Sequence, residues 1–119
     1  MPKIPPRESV REHPLYRAAM AAQHAAYQLM RDVPPSSKAD AARLHVALVH
    51  ATTWAASAVD EDVPAAEREA ARANVAASAA RAKELLEPLA PLANDAGIVD
   101  ALQKAMDEIG AREELILPS

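Results

Sequence analysis

Residues 36–61 read SSKADAARLHVALVHATTWAASAVDE, and the fold is decided by how this stretch is read. Leu44, Leu48, Ala51, Ala55 and Ala58 recur at steps of four and three, the spacing of a core-facing helical stripe. Val46, Val49, Thr53, Ala56 and Val59 fall off that stripe, and only Arg43, His50 and Ser57 mark a solvent line. A helix apolar around most of its circumference is central or sits at a subunit contact. The stretch also holds the only Trp, Trp54, for which core or subunit contact is expected, and two of the four His, His45 and His50. Pro34-Pro35 stops the preceding element, and Ser36 or Ser37 is placed to cap the new helix. Asp60-Glu61-Asp62 oppose the dipole of a helix C-terminus and mark the start of the next element.

Working outward, the first helix is predicted from Pro14 to Asp32, after a Pro-rich arm over residues 1–13 that contains Pro2, Pro5 and Pro6. Ser9 with Glu12 is placed to cap a turn in that arm. Leu15, Ala19, Ala22, Ala26, Leu29 and Val33 form the helix's inner seam, and Arg17, His24 and Arg31 its outer line. Beside the seam runs a second line, Tyr16, Met20, Gln23, Tyr27 and Met30. Tyr and Met are enriched at protein interfaces, so this line, together with Trp54, is the candidate interface.

A third helix is expected from Pro64 to about Glu87, capped by Asp62 or Val63 and terminated by Pro88 and Pro91. Its seam reads Ala71, Val75, Ser78, Ala82, Leu85 and Leu89. Asn94 or Asp95 caps a fourth helix with Ile98, Leu102, Ala105, Ile109 and Ile116 inside and Asp100, Lys104, Glu108 and Arg112 as an exposed ladder of alternating sign. The stretch Leu115-Ile116-Leu117-Pro118 is apolar enough to dock on the bundle or on a partner. Four helices with short Pro-marked connections make an all-α, up-down-up-down four-helix bundle, one domain over residues 14–117.

Composition agrees. The chain has 119 residues, no Phe, 3% aromatics and two Gly, and much of its apolar half is Ala, the best helix former. The core must therefore rely on close helix approach over Ala. Absence of Cys excludes disulfides and thiolate metal sites. No apolar run reaches the roughly 20 residues that span a bilayer, and the N-terminus lacks a signal-peptide core, so a cytoplasmic protein without membrane contact is expected. Net charge is −4, with five bases against three acids in residues 1–33 and six acids against two bases in residues 92–119. An acidic total argues against non-specific nucleic-acid binding.

Chemistry is not written in this sequence. A di-metal carboxylate bundle needs Glu-x-x-His, and no His has Glu three residues before it. His45 and His50, five apart, point about 140° from one another on a helix and cannot share a metal within it. No Gly-rich phosphate loop exists, and the serines sit on helix faces, at caps or at the terminus. Neither a metal nor a cofactor is expected, and no catalytic residue is assigned. Two rival readings remain: a haem- or ligand-binding bundle using His45 or Trp54, and an RNA-cleaving enzyme. The second rests on Arg17 and His24, with six residues between, and on Arg7 and His13, which fit the loose Arg-x(4–6)-His spacing of HEPN ribonucleases.

Three stretches carry a further resemblance: Asp32-Val33-Pro34-Pro35 closing the first helix, Ala42-Arg43-Leu44-His45-Val46-Ala47-Leu48 in the second, and Ala76-Ala77-Ser78-Ala79-Ala80-Arg81-Ala82-Lys83-Glu84-Leu85-Leu86 in the third. Across residues 14–115 the layout resembles the bacterial four-helix-bundle proteins encoded in intervening sequences of 23S ribosomal RNA genes, to which the accessory proteins of diversity-generating retroelements are similar in fold. The resemblance implies ring-like homo-oligomers, some of which bind nucleic acid. The turn after the second helix here reads Ala-Val-Asp-Glu-Asp-Val-Pro, where that family has Asn-Ile-Ala-Glu-Gly. The combined expectation is a non-enzymatic, self-associating bundle that serves as an adaptor for a protein partner.

Overall fold

A computed structural model describes the backbone of residues 7–116 and the side chains of residues 7–111. Pro2, Pro5 and Pro6 of the arm, the side chains of Arg112 and Ile116, and the apolar stretch through Pro118 lie outside the described residues. Every regular element among the described residues is helical: a short α1 (Glu8–Arg11), then four long helices, α2 (Pro14–Asp32), α3 (Lys38–Val59), α4 (Ala65–Leu89) and α5 (Ala96–Ile116). The long helices pack against each other. α3 lies between α2 and α4, α5 packs on α2, and α4 and α5 touch less than these neighbouring pairs do.

The two seams expected in the first half are buried at every position, from Leu15 in α2 to Val33 just past its end and from Leu44 to Ala58 in α3. Alanines at the contact let two helix axes approach toward the short end of the 8–10 Å range. Leu15, Leu29, Leu44 and Leu48 are fully buried and fill the space between, each contributing about 1.5–3 kcal/mol by leaving water. In α4 the buried stripe is Ala71, Val75, Ala79, Ala82, Leu86 and Leu89, so Ser78 and Leu85 are half-buried flanks rather than seam residues. In α5, Val99 and Met106 join Leu102, Ala105 and Ile109 inside, and Ile98 is half-buried.

Helix ends explain the connections. His13 caps α2, its Nδ1 accepting from the Leu15 N–H at 3.1 Å, with Pro14 in the first helical position. The expected Ser9 and Ser37 caps do not form; a 3₁₀ turn over Pro35–Ser37 leads into α3 instead. α4 follows Pro64 with no side-chain cap, and it runs through Pro88 to Leu89 rather than ending at Glu87. Asp95 does cap α5, its Oδ1 accepting from the Gly97 N–H at 2.9 Å. The last carbonyls of α2 would otherwise be orphaned. Lys38 Nζ donates to the Met30 carbonyl at 3.1 Å and Asn94 Nδ2 to the Asp32 carbonyl at 2.8 Å, which ties both neighbouring helices to this end.

α1 is docked rather than free. Val10 is buried, and Arg7 forms ion pairs with Asp60 and, at 2.7 Å, with Asp62, just beyond the end of α3. The Asp62 backbone N–H bonds the Asp60 carboxylate at 2.9 Å and, with Arg7, holds it below its ordinary pKa. The same contacts raise the Arg7 pKa, the Asp60 hydrogen bond being the largest cause.

Candidate interaction surface

The outer surface of α2 and α3 is unusual in what it lacks. Residues 18–30 and 44–59 contain no Asp, Glu, Lys or Arg. On α2 the second line divides by exposure: Tyr16, Gln23 and Met30 are half-buried, while Met20 is 41% and Tyr27 45% exposed. The Tyr27 ring lies 5.7 Å from the His45 ring of α3, tilted by 57°, which joins the two helices across their outer seam. On α3, Val46 is 49% and Trp54 40% exposed, so Trp54 is not a core residue. Thr53 Oγ1 bonds back to the Val49 carbonyl at 3.0 Å, which satisfies the hydroxyl within the helix. Four of the five large apolar side chains exposed among the described residues, Met20, Tyr27, Val46 and Trp54, therefore lie within two sequence stretches free of formal charge. The fifth, Leu92, is in the α4–α5 connection.

α4 and α5 present a different surface. Glu67, Glu69, Arg81, Lys83, Glu84 and Glu87 are exposed on α4, and Asp100, Lys104, Asp107 and Glu108 on α5. A groove of about 370 Å³ separates α3 from α4, with an apolar floor of Ala42, Val46, Ala47 and Leu85 flanked by Arg43, His50 and Arg81. Arg43 pairs with Asp40 at 3.0 Å and Arg81 with Glu84 at 3.7 Å, each three residues away on its own helix. Exposed pairs of this spacing contribute about 0.3–0.5 kcal/mol.

The residues of the rival chemical readings are dispersed. Arg17 and His24 are both exposed, and Arg17 borders a depression with Glu12, Pro14 and Glu108. His13 serves the α2 cap. His45 is half-buried against Tyr27, whereas His50 looks into the α3–α4 groove, as their 140° separation requires. No group of three or more His, Asp or Glu among the described residues is placed to hold a metal ion. No helix among them is long and apolar enough to cross a membrane.

No protein-family model, curated protein or solved structure matches the chain. The surface itself is therefore the guide to function. Its sequence signal, besides the Tyr–Met line, is the sixteen-residue run 44–59 without a formal charge, which brings Val46 into the same exposed set.

Proposed function

We propose that this chain is a non-enzymatic adaptor, an up-down-up-down four-helix bundle that self-associates through the outer face of α2 and α3. The carrying observation is the exposure of Met20, Tyr27, Val46 and Trp54 within two stretches of α2 and α3 free of formal charge. Large exposed apolar side chains of this kind, in a charge-depleted setting, are the usual composition of an interface centre. Two copies, each with net charge −4, repel over most of their surfaces. A two-fold contact also sets a patch against its own image, so a charged patch faces like charges, and a charge-free one does not. Size is adequate: two parallel cylinders about 30 Å long and about 10 Å across offer on the order of 600 Å² in projection, near the 800 Å² per partner of a standard interface.

In this reading Tyr16 and Met30 support the contact from the core side, Met20 and Tyr27 make it, and Gln23 supplies a polar group at its middle. Trp54, nine residues after His45, points about 180° from it on α3 and so lies outside the Met20–Tyr27 patch. Nucleic acid is not part of the proposal, since the net charge of −4 opposes binding to phosphate. Neither the ribonuclease reading of Arg17 and His24 nor a ligand reading of His45 gains a comparable observation.

Size-exclusion chromatography with light scattering, at tens of micromolar and with a full absorbance spectrum, tests the proposal. The expected mass is a multiple of 12.7 kDa with a plain protein spectrum, falling to the monomer in Met20→Glu/Tyr27→Glu. A wild-type monomer at that concentration, or a peak carrying 260 nm or visible absorbance, overturns it.

A further inference from the structure

The Met20–Tyr27 patch of α2 holds an imidazole at its centre. Met20, His24 and Tyr27 follow at steps of four and three, so they share one helix face, and all three are exposed. A second imidazole borders the patch from α3: the His45 ring, half-buried, packs on Tyr27 at 5.7 Å. Histidine is the side chain whose charge changes between pH 5 and 8. Neither ring has an acid near it on its own helix face, since residues 18–30 and 44–59 contain no Asp or Glu.

The charged groups around these rings are cations or acids already placed beside cations. On α2, seven residues either side of His24, Arg17 shares a depression with Glu12 and Glu108, and Arg31 shares another with Asp32 and Asp95. On α5, Lys104 is exposed between Ala101 and Glu108, which line those two depressions. On α3, Lys38 Nζ is bound to the Met30 carbonyl, and Arg43 pairs with Asp40. α4 meets α3 on the side of His50, about 140° from His45. α1 is tied to the Asp60 end of α3 through Arg7.

Protonation has different consequences in the free and the associated chain. In the free copy a His24 cation is solvated. A His45 cation there keeps water on one side and the Tyr27 ring on the other, within the roughly 6 Å of a cation–π contact. In the self-associated form proposed above, the patch of one copy covers that of another, so each cation loses water and meets no carboxylate. At a two-fold contact it also meets the like charge of its image. Protons therefore bind the free chain more tightly, and acid draws the equilibrium toward it.

We propose that self-association is gated by pH: His24 and His45 are the sensor, and their protonation releases the copies. This inference rests on the self-association reading. Its sign is opposite to the effect of whole-chain charge. Four protonated imidazoles take the formal net charge from −4 to zero, which alone would tighten association by removing repulsion.

The test is light scattering on the full chain over a concentration series at pH 7.5 and pH 5.5, at one ionic strength, with far-UV circular dichroism at both to follow helicity. The apparent dissociation constant of the wild type is expected to rise at least about tenfold at the lower pH, with helicity retained. His24→Gln/His45→Gln, neutral at both, is expected to associate as tightly in acid as at neutrality. His50→Gln, at the α3–α4 groove, is expected to keep the wild-type response. Should the double variant fail to assemble at neutrality, His24→Gln alone, which alters only an exposed side chain, is expected to cut the tenfold response to about threefold. A wild type that associates equally or more tightly in acid, a response retained in the His24 and His45 variants, or dissociation accompanied by lost helicity overturns the gate and leaves the self-association reading standing. A wild-type monomer at neutral pH removes both.

Discussion

The α2–α3 pair and the α4–α5 pair are built from the same kind of Ala- and Leu-bearing seam, yet they treat solvent in opposite ways. α4 and α5 surround their stripes with charges of both signs. α2 and α3 leave long stretches with none and expose Met20, Tyr27, Val46 and Trp54 there. Burial inside a helix pair needs only one apolar stripe. Apolar residues beyond that stripe gain less from the fold of a single copy. On the proposed reading, the inner and outer faces of α2 and α3 answer to separate demands, folding inside and association outside.

Mutations that separate those demands are the sharpest way to break the comparison. Leu48 is fully buried on α3, which is enclosed by α2 and α4. Leu48→Ala is expected to cost about 3–5 kcal/mol, because packed neighbours on two sides cannot collapse into the cavity. Leu86 is equally apolar but lies where α4 and α5 meet loosely, beside an open groove. Leu86→Ala should cost about 2–3 kcal/mol, and Val46→Ala, on the outer face, within about 0.5 kcal/mol. Urea midpoints read all three. Equal costs at Leu48 and Leu86 would mean that the two pairs are packed alike, and a large cost at Val46 would make it a folding residue.

The outer face is probed next. Met20→Glu/Tyr27→Glu is expected to leave the midpoint nearly unchanged and to weaken self-association at least about tenfold, or 1.4 kcal/mol. Because the proposed contact rests on apolar side chains, added salt should not weaken the wild-type oligomer. Lys104→Glu on α5 should leave the oligomer mass unaltered. An oligomer that survives the α2 change and fails with the α5 change would reverse the assignment of faces.

This contrast was legible in the sequence only where side chains differ from Ala. In α2 and α3 the Leu and Val positions fix the phase of the helix, and every expected seam residue is buried. In α4 alanine occupies all faces, so the pattern carries little phase, and a seam expected through Ser78 and Leu85 proves to run through Ala79 and Leu86. A rotation of one residue is the natural error when most of the circumference is Ala. Pro88 was expected to stop α4 but is accommodated in its last turn, where few hydrogen bonds remain to lose. The His13 cap was hidden because an imidazole is an infrequent cap acceptor, although Pro14 immediately after it marked the position. The Tyr–Met line is readable as spacing; which of its members reach solvent depends on the tilt of α2 against α3, which spacing does not encode.

A smaller effect comes from the charged half. Gly110 lies inside α5, and a Cβ there meets nothing within 4 Å among the described residues. Gly110→Ala should therefore stabilise the fold by up to about 1 kcal/mol through helix propensity and a less flexible unfolded chain. It should leave association through α2 unchanged. A loss of stability would show that the last turns of α5 need the glycine for a contact.

The smallest expected effect asks whether α1 belongs to the α2–α3 pair. Its strap is the Arg7–Asp60 contact, with Asp60 at the C-cap of α3. The Asp62 N–H, and then Arg7, hold the Asp60 carboxylate below its ordinary value of 3.8. A carboxyl whose folded pKa is depressed contributes stability that is present above the unfolded value and is lost as pH falls through the folded one. Arg7 stays charged throughout that range, so Asp60 alone sets the window. Asp60→Asn should accordingly be slightly less stable than wild type at pH 6, and the gap should close as pH falls below about 4. Comparing variant with wild type at each pH removes the acid sensitivity contributed by the other carboxylates. The exposed setting keeps the gap small, because solvent screens the pair. If the gap persists unchanged at low pH, the strap is not electrostatic, and the buried Val10 side chain is what holds α1 against α2 and α3.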